Sequence, residues 1–322
     1  MSRQIEMVSL DDLISLNHNY RKFKSYIPVS LVLSHLKDLD NNLGNKGYGI
    51  ERMFYCLLLQ FMEDLSDREL ERFLQENTAA KWFCGFGLTE QTPDYTSFTK
   101  TRGRIGTKIL SYLFSSIKKE LQKAGMISEV FTFVDASHLV SKANLWQERD
   151  KVLQQKYEHF NNEVLSKSNV ASDSQARIGC KGGNKYWYGY KKHVSVDMQS
   201  GLISKVAITP ANVADANGFT HVCPSSGAVY ADKGYCIKPV RDICKARAIH
   251  LAAIKLNNMK TKNKDLDKYY SAIRSPYERV FSQQNRRVRY KGVAKNQFAA
   301  FMQAMSFNLK RLVKINAPPL HA

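Results

Sequence analysis

The spacing of hydrophobic residues changes near residue 129, and this change divides the chain into two parts that fold differently. Before residue 125, apolar side chains recur every three or four positions, as Ile50, Phe54 and Phe61 do, which is typical of amphipathic helices. Residues 130–134 read Val-Phe-Thr-Phe-Val, a continuous β-prone run that indicates a buried central strand. We therefore expect an all-helical domain over residues 1–125 and a second domain over residues 126–322.

The helical part has recognisable helix ends and a basic face. Residues 66–69 (Ser-Asp-Arg-Glu) fit a capping box that opens a helix, and a later helix from about Asp94 should end at Gly125. The basic face fits either a module that binds DNA or a solvated helix surface. It consists of Lys100, Arg102, Arg104 and Lys108.

The second part alternates strands and helices. Residues 186–196 and 202–208 flank the turn sequence Asp-Met-Gln-Ser-Gly, which predicts a hairpin. A strand ending at Asp232 and another over 249–254 follow, with helices from about 211, over 238–246, from near 276 and over 295–314. This order predicts an α/β fold with a mixed sheet. The polar, weakly periodic residues 141–185 predict an insertion or mobile loop.

The charge balance indicates a polyanionic partner. Lysine and arginine number 48 against 29 aspartates and glutamates, which gives a formal net charge of +19 and a pI near 9.6. Nucleic acid is the first candidate, ahead of an anionic membrane surface. We expect no membrane partner and a cytoplasmic location, because no run approaches the roughly 18 apolar residues of a membrane span. The six cysteines form no Cys-x-x-Cys pair, which favours reduced thiols.

Three carboxylates stand out by their settings. Asp135 follows the apolar run 130–134, and Asp232 follows the apolar residues 228–231. Glu278 is the only glutamate after Glu163, and it lies in a stretch rich in lysine and arginine. Carboxylates brought to one edge of a sheet would suit Mg²⁺, which prefers oxygen ligands. Paired ions of this kind support phosphoryl transfer.

Each acid also has a purely structural interpretation. Asp135 could cap the segment after its strand, and Asp232 could fix an Asp-Lys-Gly turn. Residues 275–278 (Ser-Pro-Tyr-Glu) fit the first turn of a helix, with Ser275 as N-cap and Glu278 completing a capping box. Capping and metal binding are compatible for a first-turn glutamate, so both interpretations of Glu278 stay open.

Several stretches together resemble the DDE transposases of bacterial insertion sequences, most of all the group with a Tyr-Arg-Glu-Lys signature. They are Phe-Val-Asp-Ala-Ser (133–137), Tyr-Gly-Tyr-Lys-Lys-His (188–193), Thr-Pro-Ala-Asn-Val-Ala-Asp (209–215), Ala-Asp-Lys-Gly-Tyr (231–235), Tyr-x-x-x-Arg-x-x-x-Glu (270–278) and Pro-Asp-Tyr-Thr-Ser-Phe (93–98). The resemblance extends over nearly the whole chain. It implies an RNase H-like mixed-sheet catalytic core behind the helical domain, which would bind the DNA ends.

The resemblance also implies the chemistry. Asp135, Asp232 and Glu278 would be the catalytic triad and the ligands of Mg²⁺, for which Mn²⁺ should substitute. The reaction would be cleavage and joining of double-stranded DNA at terminal inverted repeats and in target DNA, by a homodimer at the bacterial nucleoid.

Further residues follow as DNA-binding candidates from the same resemblance. Arg274 would hold a phosphate near the scissile bond, and Tyr270 would support the DNA backbone. The signature lysine is replaced by Asn285, so we expect Arg286 or Arg287 to act in its place. The remaining candidates are Lys191, Lys192, His193 and Lys233.

Two other functions remain open at this stage. The first is an RNase H-like nuclease that cuts DNA without joining strands. The second is an inactive DNA-binding regulator with the same fold.

Overall fold

The computed structural model describes residues 8–39, 47–141, 173–181, 185–282 and 287–317. The chain forms two compact units. The helical unit comprises residues 1–126 and 301–322, and the sheet unit comprises residues 127–300.

Six helices build the first part of the helical unit. The capping box is confirmed, since the Ser66 hydroxyl accepts from the Glu69 N–H and the Glu69 carboxylate accepts from the Ser66 N–H. Gly106, at φ +62°, interrupts the longest helix. The helices are α1 (Asn19–Ser25), α2 (Val29–Leu36), α3 (Ile50–Met62), α4 (Asp67–Glu76), α5 (Thr78–Cys84) and α6 (Tyr95–Lys123).

The basic face of the helical unit is only partly available to a partner. Arg102 pairs with Asp67 through both terminal nitrogens, at 2.9 and 2.5 Å, and Arg104 donates to the Leu39 carbonyl. Lys100 and Lys108 are exposed. The two arginines therefore contribute to the structure of the unit, and the two lysines retain an exposed charge.

The sheet unit is built on a six-stranded mixed sheet. Its strands are β1 (Phe131–Val140), β2 (Arg177–Lys181), β3 (Lys185–Asp197), β4 (Ile203–Pro210), β5 (Ala228–Ala231) and β6 (His250–Ala253). The order is β2-β3-β1-β5-β6, with β4 also paired to β3. The β1–β3, β2–β3 and β3–β4 pairs are antiparallel, whereas β1–β5 and β5–β6 are parallel. The predicted hairpin and the RNase H-like mixed-sheet fold class are confirmed.

Helices cover both faces of this sheet. One face, which we call the α7 face, packs against α7 (Asp215–Val222). The next helix is α8 (Lys238–Ala246). A hydrophobic core lies on the α7 face and includes Val134 of β1, Phe219 of α7 and Val240 of α8. The other face, which we call the α9 face, packs against α9 (Lys264–Ser282). The last helix, α10, spans Val293–Lys314, close to its predicted bounds.

The start of α9 differs from the prediction. The side chain of Asn263 accepts hydrogen bonds from the Asp265 and Leu266 N–H groups, so Asn263 caps the helix. Pro276 lies inside α9, and Ser275 is not an N-cap. The capping-box interpretation of Glu278 was therefore wrong, because Glu278 lies about four turns into the helix.

The predicted insertion over 141–185 lies mostly outside the described residues, but its described part is ordered around Asp173. This buried carboxylate accepts from the Ser141 hydroxyl at 3.0 Å, the Tyr190 hydroxyl at 2.7 Å and the Gly292 N–H at 3.1 Å. Residues 177–181 form β2, so this stretch is a strand and not a loop. The bonds of Asp173 join the end of β1 to β3 and to the segment before α10.

Two smaller expectations can be compared with the described residues. None of the described helices is long and apolar enough to cross a membrane. The cysteines are free thiols, and all except Cys180 are buried, as predicted.

Candidate active site

Asp135 and Asp232 lie on the same face of the sheet. Phe133 of β1 pairs with Tyr230 of β5 in parallel register. Because side chains alternate along a strand, the residues two positions further on, Asp135 and Asp232, both belong to the α9 face. Asp232 follows β5 directly, as predicted, and accepts from the Lys233 N–H at 2.7 Å.

Asp135 is not at the end of its strand. β1 continues for five residues to Val140, because the long strand β3 pairs with it as far as Gly189. Asp135 itself is opposite Val194. The expectation that Asp135 closes the strand was wrong, and the reason is the length of its partner strand, which the residues around Asp135 do not reveal.

Arg274 connects the acids from the opposite side. Its Nη1 atom lies 3.6 Å from Asp232 Oδ1, and its Nη2 atom lies 3.5 Å from Glu278 Oε1. Only 6% of the Arg274 side chain is exposed, against 48% for Asp232 and 55% for Glu278. A buried guanidinium therefore lies between two exposed carboxylates.

The position of Arg274 follows from the packing of α9 on the sheet. The guanidinium carbon lies 5.8 Å from the centroid of the Phe133 ring, within cation–π range. The Tyr277 ring also contacts Phe133, at 6.1 Å, and the Tyr277 hydroxyl donates to the Met198 carbonyl. These contacts hold the third and fourth turns of α9 against β1, where Glu278 lies beside Arg274.

The electrostatics of Asp135 differ from those of an ordinary surface carboxyl. Burial raises its pKa to about 6, although the Ala136 N–H bond and the Arg274 charge act to lower that pKa. The negative charges of Asp232 and Asp215 add to the increase in pKa. Asp135 therefore lies close enough to other carboxylates to interact with them, in a setting that favours a nearby cation.

Sequence reasoning assigned no role to Tyr235 or Asp215, which also border the site. The Tyr235 hydroxyl is buried without a hydrogen-bond partner among the described residues, and Asp135, Asp215 and Asp232 contribute to its raised pKa. Asp215 begins α7 and lies 2.8 Å from the Lys191 ammonium. Both residues belong to stretches that support the family resemblance, and this was the signal that could have identified them.

Three predicted DNA-binding residues on β3 lie in less accessible positions than expected. Lys191 is 14% exposed and donates to the Val213 carbonyl besides pairing with Asp215. Lys192 and His193 are 1% and 0% exposed, and burial lowers their pKa values to about 7 and about 4. His193 bonds to Thr209 Oγ1 at 2.8 Å. The Lys192 and His193 side chains are therefore buried and offer no surface for a contact with DNA.

The other predicted DNA contacts lie nearer the surface. Lys233 and Arg287 are exposed, and Tyr270 is partly exposed, with its ring against Tyr230 at 5.8 Å. Arg286 lies outside the described residues. The structure thus brings Asp135, Asp232, Glu278, Arg274 and Tyr270 together on the α9 face.

The donor chemistry of these acids fits a hard divalent cation. All three offer carboxylate oxygens, whose negative charges attract a cation, as the guanidinium of Arg274 beside Asp232 and Glu278 illustrates. Within the described parts of the chain, no three His, Cys, Asp or Glu side chains are close enough to form a ready ligand shell. The acids therefore have the right chemistry, while Arg274 lies between Asp232 and Glu278.

Comparison with known proteins gives the family. Residues 8–104 match the family described as Transposase domain (DUF772), and residues 132–309 match the Transposase DDE domain family. A solved structure that resembles this one is piggyBac transposase in a synaptic complex with hairpin DNA, at 10% identity and a TM-score of 0.42, over 94% of this chain and 76% of that chain. The match to the Transposase DDE domain family covers more than half of the residues of this chain, so the chain belongs to the DDE transposase family.

Proposed function

We propose that this protein is the transposase of a bacterial insertion sequence, which cleaves double-stranded DNA at the ends of the element and joins those ends to target DNA. The observation that supports it best is the arrangement of Asp135, Asp232 and Glu278 around Arg274 on one face of the sheet. We also place the chain in the group with the Tyr-Arg-Glu-Lys signature, because Tyr270, Arg274 and Glu278 follow one another along α9.

The proposed reaction has two phosphoryl-transfer steps. In the first, water attacks the phosphodiester at the element end, which releases a 3′-hydroxyl and a 5′-phosphate. In the second, that 3′-hydroxyl attacks a target phosphodiester, forms a new bond to phosphorus and displaces a target 3′-hydroxyl. A pair of divalent cations, Mg²⁺ or Mn²⁺, would supply Lewis acidity for the attacking and leaving oxygens when bound.

The chain's own residues have distinct roles in this proposal. Asp135, Asp232 and Glu278 would hold the cations, with Asp135 required in its ionised form. Arg274 would hold the scissile phosphate, for which a guanidinium offers paired donors. Tyr270, Lys233 and Arg287 would contact the DNA backbone. Lys191 would hold the Asp215 carboxylate through their ion pair and would thus act as a positioning residue at the border of the site.

The two parts of the chain would divide the work. We propose that residues 1–125 bind the terminal inverted repeat, with the exposed Lys100 and Lys108 contacting phosphates, and that residues 126–322 perform the chemistry. A homodimer would hold two element ends at once. The protein would act at the bacterial nucleoid.

The decisive test is Asp232→Asn, measured on a duplex that contains the element end. We expect cleavage with Mg²⁺ to fall by at least ~10²-fold, since even the loss of a residue that supports a ligand reduces metal affinity or activity 10–100-fold. DNA affinity should be unchanged or higher, because one negative charge is removed. Glu278→Gln should behave in the same way, and Asp242→Asn, an exposed aspartate on α8, is the matched control.

Cleavage that persists in Asp232→Asn would contradict the assignment of the acids. A second assay supplies pre-cut element ends with free 3′-hydroxyls and a target plasmid. Insertion of these ends supports the transposase, whereas cleavage without insertion would identify a nuclease. DNA binding without any cleavage, with or without Mg²⁺, would identify a regulator.

A further inference from the structure

Four aromatic rings form a continuous line on the α9 face, separate from the acids. The Phe131 and Tyr230 centroids are 6.2 Å apart, Tyr230 and Tyr270 are 5.8 Å apart, and Tyr270 and Tyr269 are 6.1 Å apart. These spacings are within the range of contacting aromatic pairs. We refer to these four residues as the aromatic line.

Both ends of the aromatic line are open to solvent. Phe131 is 50% exposed and Tyr269 is 58% exposed, and Val130 beside Phe131 is 52% exposed. Single exposed apolar residues are normal on protein surfaces, but contiguous exposed aromatic groups mark interaction sites. The rings thus form a surface to which flat, apolar groups can bind.

The two middle rings of the aromatic line lie beside the candidate active site. Tyr230 precedes Asp232 by two residues along the strand direction, a distance of about 7 Å. Tyr270 precedes Arg274 by four residues on α9, or about 6 Å along the helix. A strand of DNA with its phosphate at Arg274 would therefore have its neighbouring nucleotides at these rings.

The segment around the aromatic line is positively charged. Between Lys255 and Lys268 there are five lysines and two aspartates. One of these aspartates, Asp267, is engaged with Lys262 at 3.6 Å and with the Lys255 N–H at 3.0 Å. The exposed lysines of the segment are Lys260, Lys264 and Lys268.

We propose that the aromatic line binds unpaired nucleotides of the DNA strand next to the cleavage point, by stacking of bases on its rings. This proposal rests on the proposed function and specifies the form of its substrate. Bases in a duplex stack on each other and offer no free face, so exposed rings select single-stranded nucleotides. Stacking on aromatic side chains tolerates any base, and the lysines would neutralise the phosphates.

The test measures binding of the full-length protein to a fluorescein-labelled single-stranded thymidine oligonucleotide, by anisotropy in a metal chelator. A duplex of equal length is measured in parallel. Tyr269→Ala and Phe131→Ala should each weaken single-strand binding by about 5- to 150-fold, the range given by loss of one stacked base at ~1–3 kcal/mol. Duplex binding should be nearly unchanged.

Two controls separate stacking from other effects. Tyr269→Trp keeps an aromatic face and should retain single-strand affinity. Tyr186→Ala removes a tyrosine of β3 that is 56% exposed and lies outside the aromatic line, and it should leave both affinities unchanged. Circular dichroism melting checks that each variant is folded.

Three outcomes would overturn the proposal: unchanged single-strand affinity in both alanine variants, equal weakening on duplex DNA, or a Trp variant as weak as Tyr269→Ala. Each is distinguishable from failure of the proposed function. Binding in chelator does not depend on cleavage. A negative result in the oligonucleotide-binding test therefore leaves the Asp232→Asn cleavage result unaffected, and a negative cleavage result leaves the binding test unaffected.

Discussion

At the scale of single residues, Asp135 combines a partly buried position with a group that must ionise to bind a cation. Burial raises its pKa from 3.8 to about 6, so between these values the unfolded chain releases a proton that the folded chain keeps. The contribution of Asp135 to the free energy of unfolding is therefore most favourable below pH 4. This contribution is lost as the pH rises through 6. Such a cost is typical of functional sites.

We expect Asp135→Asn to be more stable than the wild type at pH 8 in a chelator, by on the order of 2 kcal/mol. The difference should shrink towards pH 3, where Asp135 is protonated in both the folded and the unfolded state. Urea unfolding over this pH range is the measurement. Asp242→Asn, an exposed aspartate of α8, should differ by less than about 0.5 kcal/mol at any pH.

If Asp135→Asn were less stable than the wild type at pH 8, the claim that burial of the ionised Asp135 destabilises the folded state would be contradicted. A second measurement links the effect to the proposed cation. Added Mg²⁺ should stabilise the wild type, since a ligand that binds the folded state raises its stability, and should have little effect on the variant.

Glu278 shows why short motifs mislead at this scale. Ser-Pro-Tyr-Glu satisfies every local rule for a helix start, yet α9 begins at Lys264 and passes through Pro276. Tyr270, Arg274 and Tyr277 pack against the sheet on both sides of the proline. Tertiary contacts thus offset the hydrogen bond that a proline removes from a helix, which propensity alone does not predict.

At the scale of elements, β3 and α7 pack closely against each other near the site. A Cβ atom on Gly218 of α7 would lie 2.1 Å from His193 Cε1, and the His193 ring is fully buried. The absence of a side chain at Gly218 therefore permits α7 to lie on the sheet. This contact also explains why His193 belongs to the core, although its sequence neighbours suggested DNA binding.

We expect Gly218→Ala to destabilise the protein by about 1–3 kcal/mol, the usual cost of overpacking. We expect this loss of stability although alanine has a helix propensity about 1 kcal/mol more favourable than that of glycine. Thermal unfolding followed by circular dichroism measures it. Gly234→Ala is the matched control, because a Cβ there meets nothing within 4 Å; equal melting temperatures for the two variants would refute the packing argument.

At the scale of the whole molecule, the net charge of +19 predicts how DNA binding responds to salt. If six to ten phosphates are neutralised, affinity for duplex DNA should fall ~10³- to 10⁵-fold between 50 and 200 mM salt. Anisotropy titrations over a salt series give the slope. An affinity independent of salt would show that the basic surface does not contact phosphates.

The sequence alone determined the broad plan of this protein. The change of hydrophobic period near residue 129 separated helices from the mixed sheet, because packing on one face of a helix or strand leaves a periodic signature. Residue type, spacing and family resemblance selected Asp232, Glu278 and Arg274 as candidates for the site. The bounds of α8 were also predicted correctly, since its apolar residues recur at helical spacing.

Only the tertiary structure decided which side chains face the site and which are buried. Asp135 lies mid-strand because β3 is long enough to pair beyond it, and His193 is buried because α7 packs against its ring at Gly218. Arg274 meets Asp232 and Glu278 because Tyr277 and Phe133 hold α9 on the sheet. These outcomes depend on contacts between residues distant in sequence, which local patterns do not encode.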